Sequence, residues 1–403
     1  MVLVLAIILL PARPAPADVD AQGELSSELR TFKPDRSNLT EDYGFAVSSR
    51  LELGKKHGPW QEQFRAFVRL DALDHNRTIA QLEEGFVGLK LGPVRIRVGA
   101  QLVTWTATEA LHPADIINSR NFDSDIEDLE KIGEPMVEVR IRLFKGYLSA
   151  LYMPVRVPPH QPTATSRLSL APPGVELGDA LWVGRNGEIT DHAFENQGAL
   201  HLSQSLGPVD VAIHLVQHND RLEPTAGFDA MTGEVRPVYQ MVTQVGGTYS
   251  QVVGSWVLKA EGVYRKFVAP DPGNPYGVTP QLDHGSVALG AEYAWTTDSG
   301  HAATVFAEGE AMLGVNEKQR ATISPFQRDL LFGYRHQLND VKGRQVTAAF
   351  GVDLDRPDEY LGLLKYEQRV SDEWTVELAL RSLRNAFFNG SINQGQLVVT
   401  RYF

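Results

Sequence analysis

The residues from 94 to 143 decide how the chain reads: VRIRVGAQL (94–102), VTWTATEALHPADIINSRNFDSDIEDLEKIGEP (103–135) and MVEVRIRL (136–143). The two outer pieces alternate. Val94, Ile96, Val98 and Ala100 stand against Arg95, Arg97 and Gln101, and Val137, Val139, Ile141 and Leu143 stand against Glu138, Arg140 and Arg142. A period of two puts one set on each face of a strand. The middle piece does not alternate. It has helix-like fragments, two prolines and a densely acidic second half: Asp123, Asp125, Glu127, Asp128 and Glu130. So long an unpatterned stretch between strands is functional or disordered. The expectation is a loop, 103–135, that folds into the mouth or lumen of a membrane β-barrel.

The alternation extends through the rest of the chain in runs of about ten residues. In Gln61–Asp71, Gln61, Gln63, Arg65, Arg69 and Asp71 oppose Phe64, Ala66, Val68 and Leu70. Val209, Val211, Ile213 and Leu215 oppose Asp210, His214 and His218. Trp374, Val376, Leu378 and Leu380 oppose Thr375, Glu377 and Arg381. Gln81–Leu91 and Tyr360–Val370 mix charged and apolar residues on both faces and are placed by position.

The connections separate a membrane barrel from a soluble sandwich. Even-to-odd links are short, as at Gly92-Pro93, Lys145-Gly146 and Gly207-Pro208. Odd-to-even links are mostly long, as at Lys33–Asp42, Arg156–Glu195 and Val268–Asp283. Outer-membrane barrels sort their loops in this way, with short turns at one end. Runs near ten residues match a tilted crossing of the bilayer, and only closure satisfies every backbone group there. The expected fold is an all-β, antiparallel, up-and-down transmembrane barrel of about 18 strands, or 16 if one uncertain pair does not form.

The composition fits. No apolar run reaches the ~18–20 residues of a membrane-spanning helix, and no cysteine is present for disulfides or thiolate chemistry. A net charge of -12 argues against a nucleic-acid partner. MVLVLAIILL followed by Ala15-Pro16-Ala17 reads as a signal peptide over 1–17, leaving a barrel over 18–403, although no Lys or Arg precedes the apolar core. Strands starting so soon after that segment leave no plug domain, which argues against a large gated transporter.

The final residues, QLVVTRYF, carry a resemblance. Leu397, Val399 and the terminal Phe403 look like the closing strand of Gram-negative outer-membrane proteins; Arg401 departs from that face. The resemblance implies a porin-like barrel whose Phe403 is read by the barrel-assembly machinery, with outer-membrane lipid and small solutes as its other partners. A fainter resemblance, WTATEALHPADIINSRN (105–121), is to the W-G-…-N-P-x-D-…-N-x-R stretch of a largely uncharacterised outer-membrane barrel family. Thr106 replaces the Gly and His112 the Asn. It implies no catalytic residues.

Inward faces are where chemistry is expected. Early strands supply cations (Arg65, Arg69, Arg95, Arg97, Arg140, Arg142) and later ones anions (Glu261, Glu292, Glu308, Glu310, Asp353, Glu377). Facing arcs of opposite charge would give a transverse field across a water-filled pore. The acidic block of 103–135 is expected to face Arg95, Arg97, Arg140 and Arg142 as a constriction; a solvated surface helix is the plainer alternative. His214, His218 and Asp220 are a weak signal for hydrolysis, without a Ser motif. Residues i and i+4 of a strand are too far apart to share a metal. The expected function is passive diffusion of small polar or charged solutes, with no enzyme activity, cofactor or metal. The alternatives are an adhesive or structural barrel with a closed lumen and, third, a barrel hydrolase.

Overall fold

The computed structural model describes residues 19–34, 42–169, 175, 177–325, 327–385 and 390–403. The leader 1–17 lies outside the described residues. The strands in order are β1 (Val19–Phe32), β2 (Tyr43–His57), β3 (Trp60–Asp71), β4 (Ile79–Leu91), β5 (Val94–Gln101), β6 (Glu134–Leu143) and β7 (Gly146–Val155). Next come β8 (Leu181–Val183), β9 (Ile189–Thr190), β10 (Phe194–Leu206), β11 (Val209–Asn219), β12 (Thr225–Asp229), β13 (Glu234–Val253) and β14 (Trp256–Phe267). The last are β15 (His284–Thr296), β16 (Ala302–Leu313), β17 (Asp329–Gln337), β18 (Gln345–Asp353), β19 (Tyr360–Arg369), β20 (Trp374–Asn385) and β21 (Gly390–Tyr402).

All but β8, β9 and β12 form one closed, antiparallel, 18-strand barrel. Closure is between the first and last strands, with Glu24 opposite Tyr402 and Phe32 opposite Gln394. The sheet therefore has no edge in the bilayer. β8, β9 and β12 add to the extended outer half of β13, where Leu181, Val183, Val238 and Val278 pack into a small core. That core caps one side of the mouth.

The short turns follow from local chemistry. Gly58, Gly92, Gly207 and Gly254 each take the first of two turn positions with positive φ, as a tight hairpin that follows the strand twist requires. At the same end lie Trp60, Trp256 and Trp374, all on the outer surface. Such amphipathic rings sit at the membrane boundary. Between the ends the outer face is apolar: Val98 is 52% exposed, and Val87, Leu215, Leu289 and Phe350 are exposed beside it in the same band. Only lipid makes that pattern favourable.

One irregular run has a simple cause. β3 and β4 shift register between Arg65 and Ala66. The bulge lets consecutive Glu83 and Glu84 both reach Arg65, at 3.0 and 3.9 Å. Arg401 has a cause as well. It faces outward, holds Glu373 at 3.1 Å and lies over the Trp374 ring, so its charge sits at the short-turn boundary.

Candidate functional site

Segment 103–135 contains no helix; turns and isolated bridges organise it. Its contacts lie on strands all around the barrel, so it crosses the interior. Two wall carboxylates grip its first half. Glu261 on β14 accepts from the Ala107 amide at 2.6 Å, the Thr108 amide at 3.1 Å, the Thr108 hydroxyl at 2.7 Å and the Ala114 amide at 3.0 Å. Glu308 on β16 accepts from the amides of Glu109, Ala110 (3.0 Å) and Leu111 (3.2 Å). These amides have no strand partner, and carboxylates are strong acceptors for such groups. That is why the segment stays irregular. Trp105 stacks on His201 at 4.5 Å and on His214 at 5.3 Å, and packs with Ile116, Ile117, Met136 and Met153.

The second half reaches the opposite wall. Asp125 pairs with Arg30 at 2.9 Å and with Arg381 at 3.2 Å. Glu127 holds Arg381 at 2.5 Å, and Glu130 holds Arg69 at 3.2 Å. Asp123 is fully buried and accepts from Ser166 at 3.1 Å. Asp128 stays exposed. Inside the segment, Asp115 takes both Arg120 and Lys131 at 2.7 Å. Burial lowers the Lys131 pKa below its ordinary value, and Asp115 opposes that shift only in part.

The expected pairing of the acidic block with Arg95, Arg97, Arg140 and Arg142 is therefore corrected. Glu138 stands between Arg97 (2.5 Å) and Arg140 (2.6 Å) and takes both. Among the described residues, Arg95 and Arg142 make no ion pair. The reason is height. All four lie toward the short turns, whereas the segment enters from the long-loop ends of β5 and β6. Of the six expected cations only Arg69 meets the block; Arg65 goes to Glu83.

The acidic arc is not a row of free charges either. Glu261 and Glu308 hold backbone. Glu292 holds Lys259, Glu377 holds Lys365 at 2.8 Å, and Asp353 takes Arg356 at 3.3 Å. Among the described residues, Glu310 makes no ion pair. Among the described residues, three members of the acidic arc thus have a cation beside them and four of the basic arc an anion, while Arg95, Arg142 and Glu310 stand outside these pairs. Glu109 bridges Lys259 at 2.7 Å and Arg335 at 3.3 Å. Burial opposes its ionisation, but these cations override burial and hold the carboxyl at about 2.

His214 and His218 share a face, as their spacing requires. His214 lies under Trp105 beside Gln244, and His218 is buried near Arg221. Asp220 is engaged by Arg265 and by the amides of Arg221 and Glu223. No serine bonds either histidine among the described residues.

Several residues that sequence reasoning passed over hold this interior together: Arg30, Arg77, Arg381, and the fully buried Arg221–Glu134 pair at 2.9 Å. Arg381 was visible on an inward face. Arg221 gave no signal, because it follows the end of β11.

The segment fills the lumen on the β5–β15 side and leaves space against β16–β20. An outer cavity of about 240 Å³ lies between Leu111, Ile126 and that wall. An inner one of about 500 Å³ is lined by Asp128, Gln345, Lys365 and Glu367. Both touch Glu127, Arg335, Thr347 and Leu363.

No family model matches the chain, and no curated protein matches it in sequence. Solved structures do. The chain is similar to OccAB1 of Acinetobacter baumannii at 8% identity and a TM-score of 0.57, covering 96% of this chain and 97% of that one. It is similar to a BenF-like porin of Pseudomonas fluorescens Pf-5 at 10% and 0.56, covering 96% and 99%. OccK11 (OpdR) of Pseudomonas aeruginosa matches at 10% and 0.56, covering 96% of each chain. At such identities the likeness shows the fold, which is that of outer-membrane porins.

Proposed function

We propose that this protein is an outer-membrane channel passing small polar or charged solutes by diffusion. The passage runs between segment 103–135 and the β16–β20 wall, and the segment is its constriction. The observation that carries this reading is the pair of cavities sharing Glu127, Arg335, Thr347 and Leu363. A barrel of this size ordinarily leaves an aqueous path. Here the inward segment would narrow it and push it to one side. The similarity to a porin supports the same class. In the cell, 1–17 would direct export and Phe403 would be read during assembly.

Planar-bilayer recording tests the reading. Refolded protein should give discrete conductance steps with a measurable ion preference. A heat-modifiable barrel that inserts and gives no steps would refute it, leaving a closed surface barrel.

A further inference from the structure

We infer that the outer cavity is a recognition subsite for organic cations with an apolar body. This rests on the channel reading and names the solute class it would favour. The first observation is an apolar lining where a water-filled lumen would be polar. Leu111 and Ile126 from the segment meet Phe306, Leu331, Leu361 and Leu363 from the wall. An apolar wall with a few convergent polar groups is the character of a ligand site.

The second observation is a charge arrangement lacking one cation. Asp329 on β17 stands directly opposite Asp353 on β18, and Glu310 on β16 lies one step past the Gly309–Leu330 pair, at the same level. Like charges opposed across strands are destabilising. Asp353 has Arg356. Asp329 is 6% exposed, lines the cavity and makes no ion pair among the described residues, and Glu310 makes none either. A positive ligand supplies the charge this set lacks.

The third is aromatic. Phe306 lies against Gly333, where a Cβ would fall within the ring, so its ring is laid along the wall. An aromatic face attracts cations. Anions find little there, since Glu109 holds Arg335 and Asp358 holds Arg384 at 3.3 Å each.

Single-channel recording with three probes tests the subsite. Benzyltrimethylammonium carries both features, tetramethylammonium lacks the ring, and benzenesulfonate reverses the charge. The first should block the current for about tenfold longer than either other, the size expected from burying a ring beside one unscreened charge. Asp329→Asn and, separately, Leu361→Ser should each remove most of that difference in a barrel that still conducts. Equal block by all three probes through a conducting channel overturns the subsite and leaves the channel reading standing. If folded protein does not conduct, the channel reading fails and equilibrium dialysis against the detergent-solubilised barrel decides the subsite. Preferential retention of benzyltrimethylammonium supports it; equal retention overturns it.

Discussion

Removing the Glu261 carboxylate should release the inward segment without unfolding the barrel. Glu261 accepts four hydrogen bonds, from Ala107, Thr108 (twice) and Ala114. A hydrogen bond to a charged group contributes ~1.5–3 kcal/mol, and a buried amide left unpaired costs ~1–3 kcal/mol. Bonds on one carboxylate are not additive, so Glu261→Ala should weaken docking by roughly 4–6 kcal/mol rather than by their sum. Glu308 still holds Glu109–Leu111, and Trp105 still stacks on His201. The single variant should therefore fluctuate, and Glu261→Ala with Glu308→Ala should undock the segment. Single-channel recording reads this as added open-channel noise in the single variant and a larger mean conductance in the double one. Limited proteolysis should cut within 103–121. A folded double variant with unchanged conductance and an uncut segment would refute the clamp.

Val98→Arg sets a charge against lipid and should destabilise the barrel by roughly 2–4 kcal/mol, whereas Arg97→Ala should fold normally because Arg140 still holds Glu138; equal unfolding shifts would show the faces to be misassigned. Deleting Phe403, whose ring lies against Gly23 beside the closing seam, should slow appearance of the heat-modifiable barrel in cells while leaving the midpoint of unfolding little changed; unchanged assembly would remove its role as a signal. Glu109 titrates at about 2, below the ordinary 4.5. Its ion pairs are thus complete above pH 4.5 and are lost as pH falls through 2, so loop noise should appear only below pH ~3 in the wild type. Glu109→Gln should show that noise at neutral pH, and a quiet variant would contradict this.

Strand order, loop sorting and the closing strand were legible because outward faces obey one rule, apolar against lipid. The lumen obeys no such rule. Tyr360–Val370 looked mixed because Leu361 and Leu363 face inward, into the outer cavity. Gln81–Leu91 looked mixed because a bulge turns Glu83 and Glu84 to the same side. The inward direction of an arginine could be read from alternation, but its partner could not. Height along the strand and the crossing of segment 103–135 choose Glu138 for Arg97, and Arg381 for Glu127. The clamp by Glu261 and Glu308 was hidden for a further reason: carboxylates that bind backbone amides have no complementary side chain to find.

The central claim is that solute passes along the β16–β20 wall and not behind the segment. The chain has no cysteine, so single cysteines can be placed without background. Thr347→Cys lies where both cavities meet; Ala288→Cys, opposite Glu261 and fully buried, lies on the filled side. A charged methanethiosulfonate added to conducting channels should reduce the current of Thr347→Cys in discrete steps and leave Ala288→Cys unchanged. Modification of Ala288→Cys with Thr347→Cys unaffected would contradict the account.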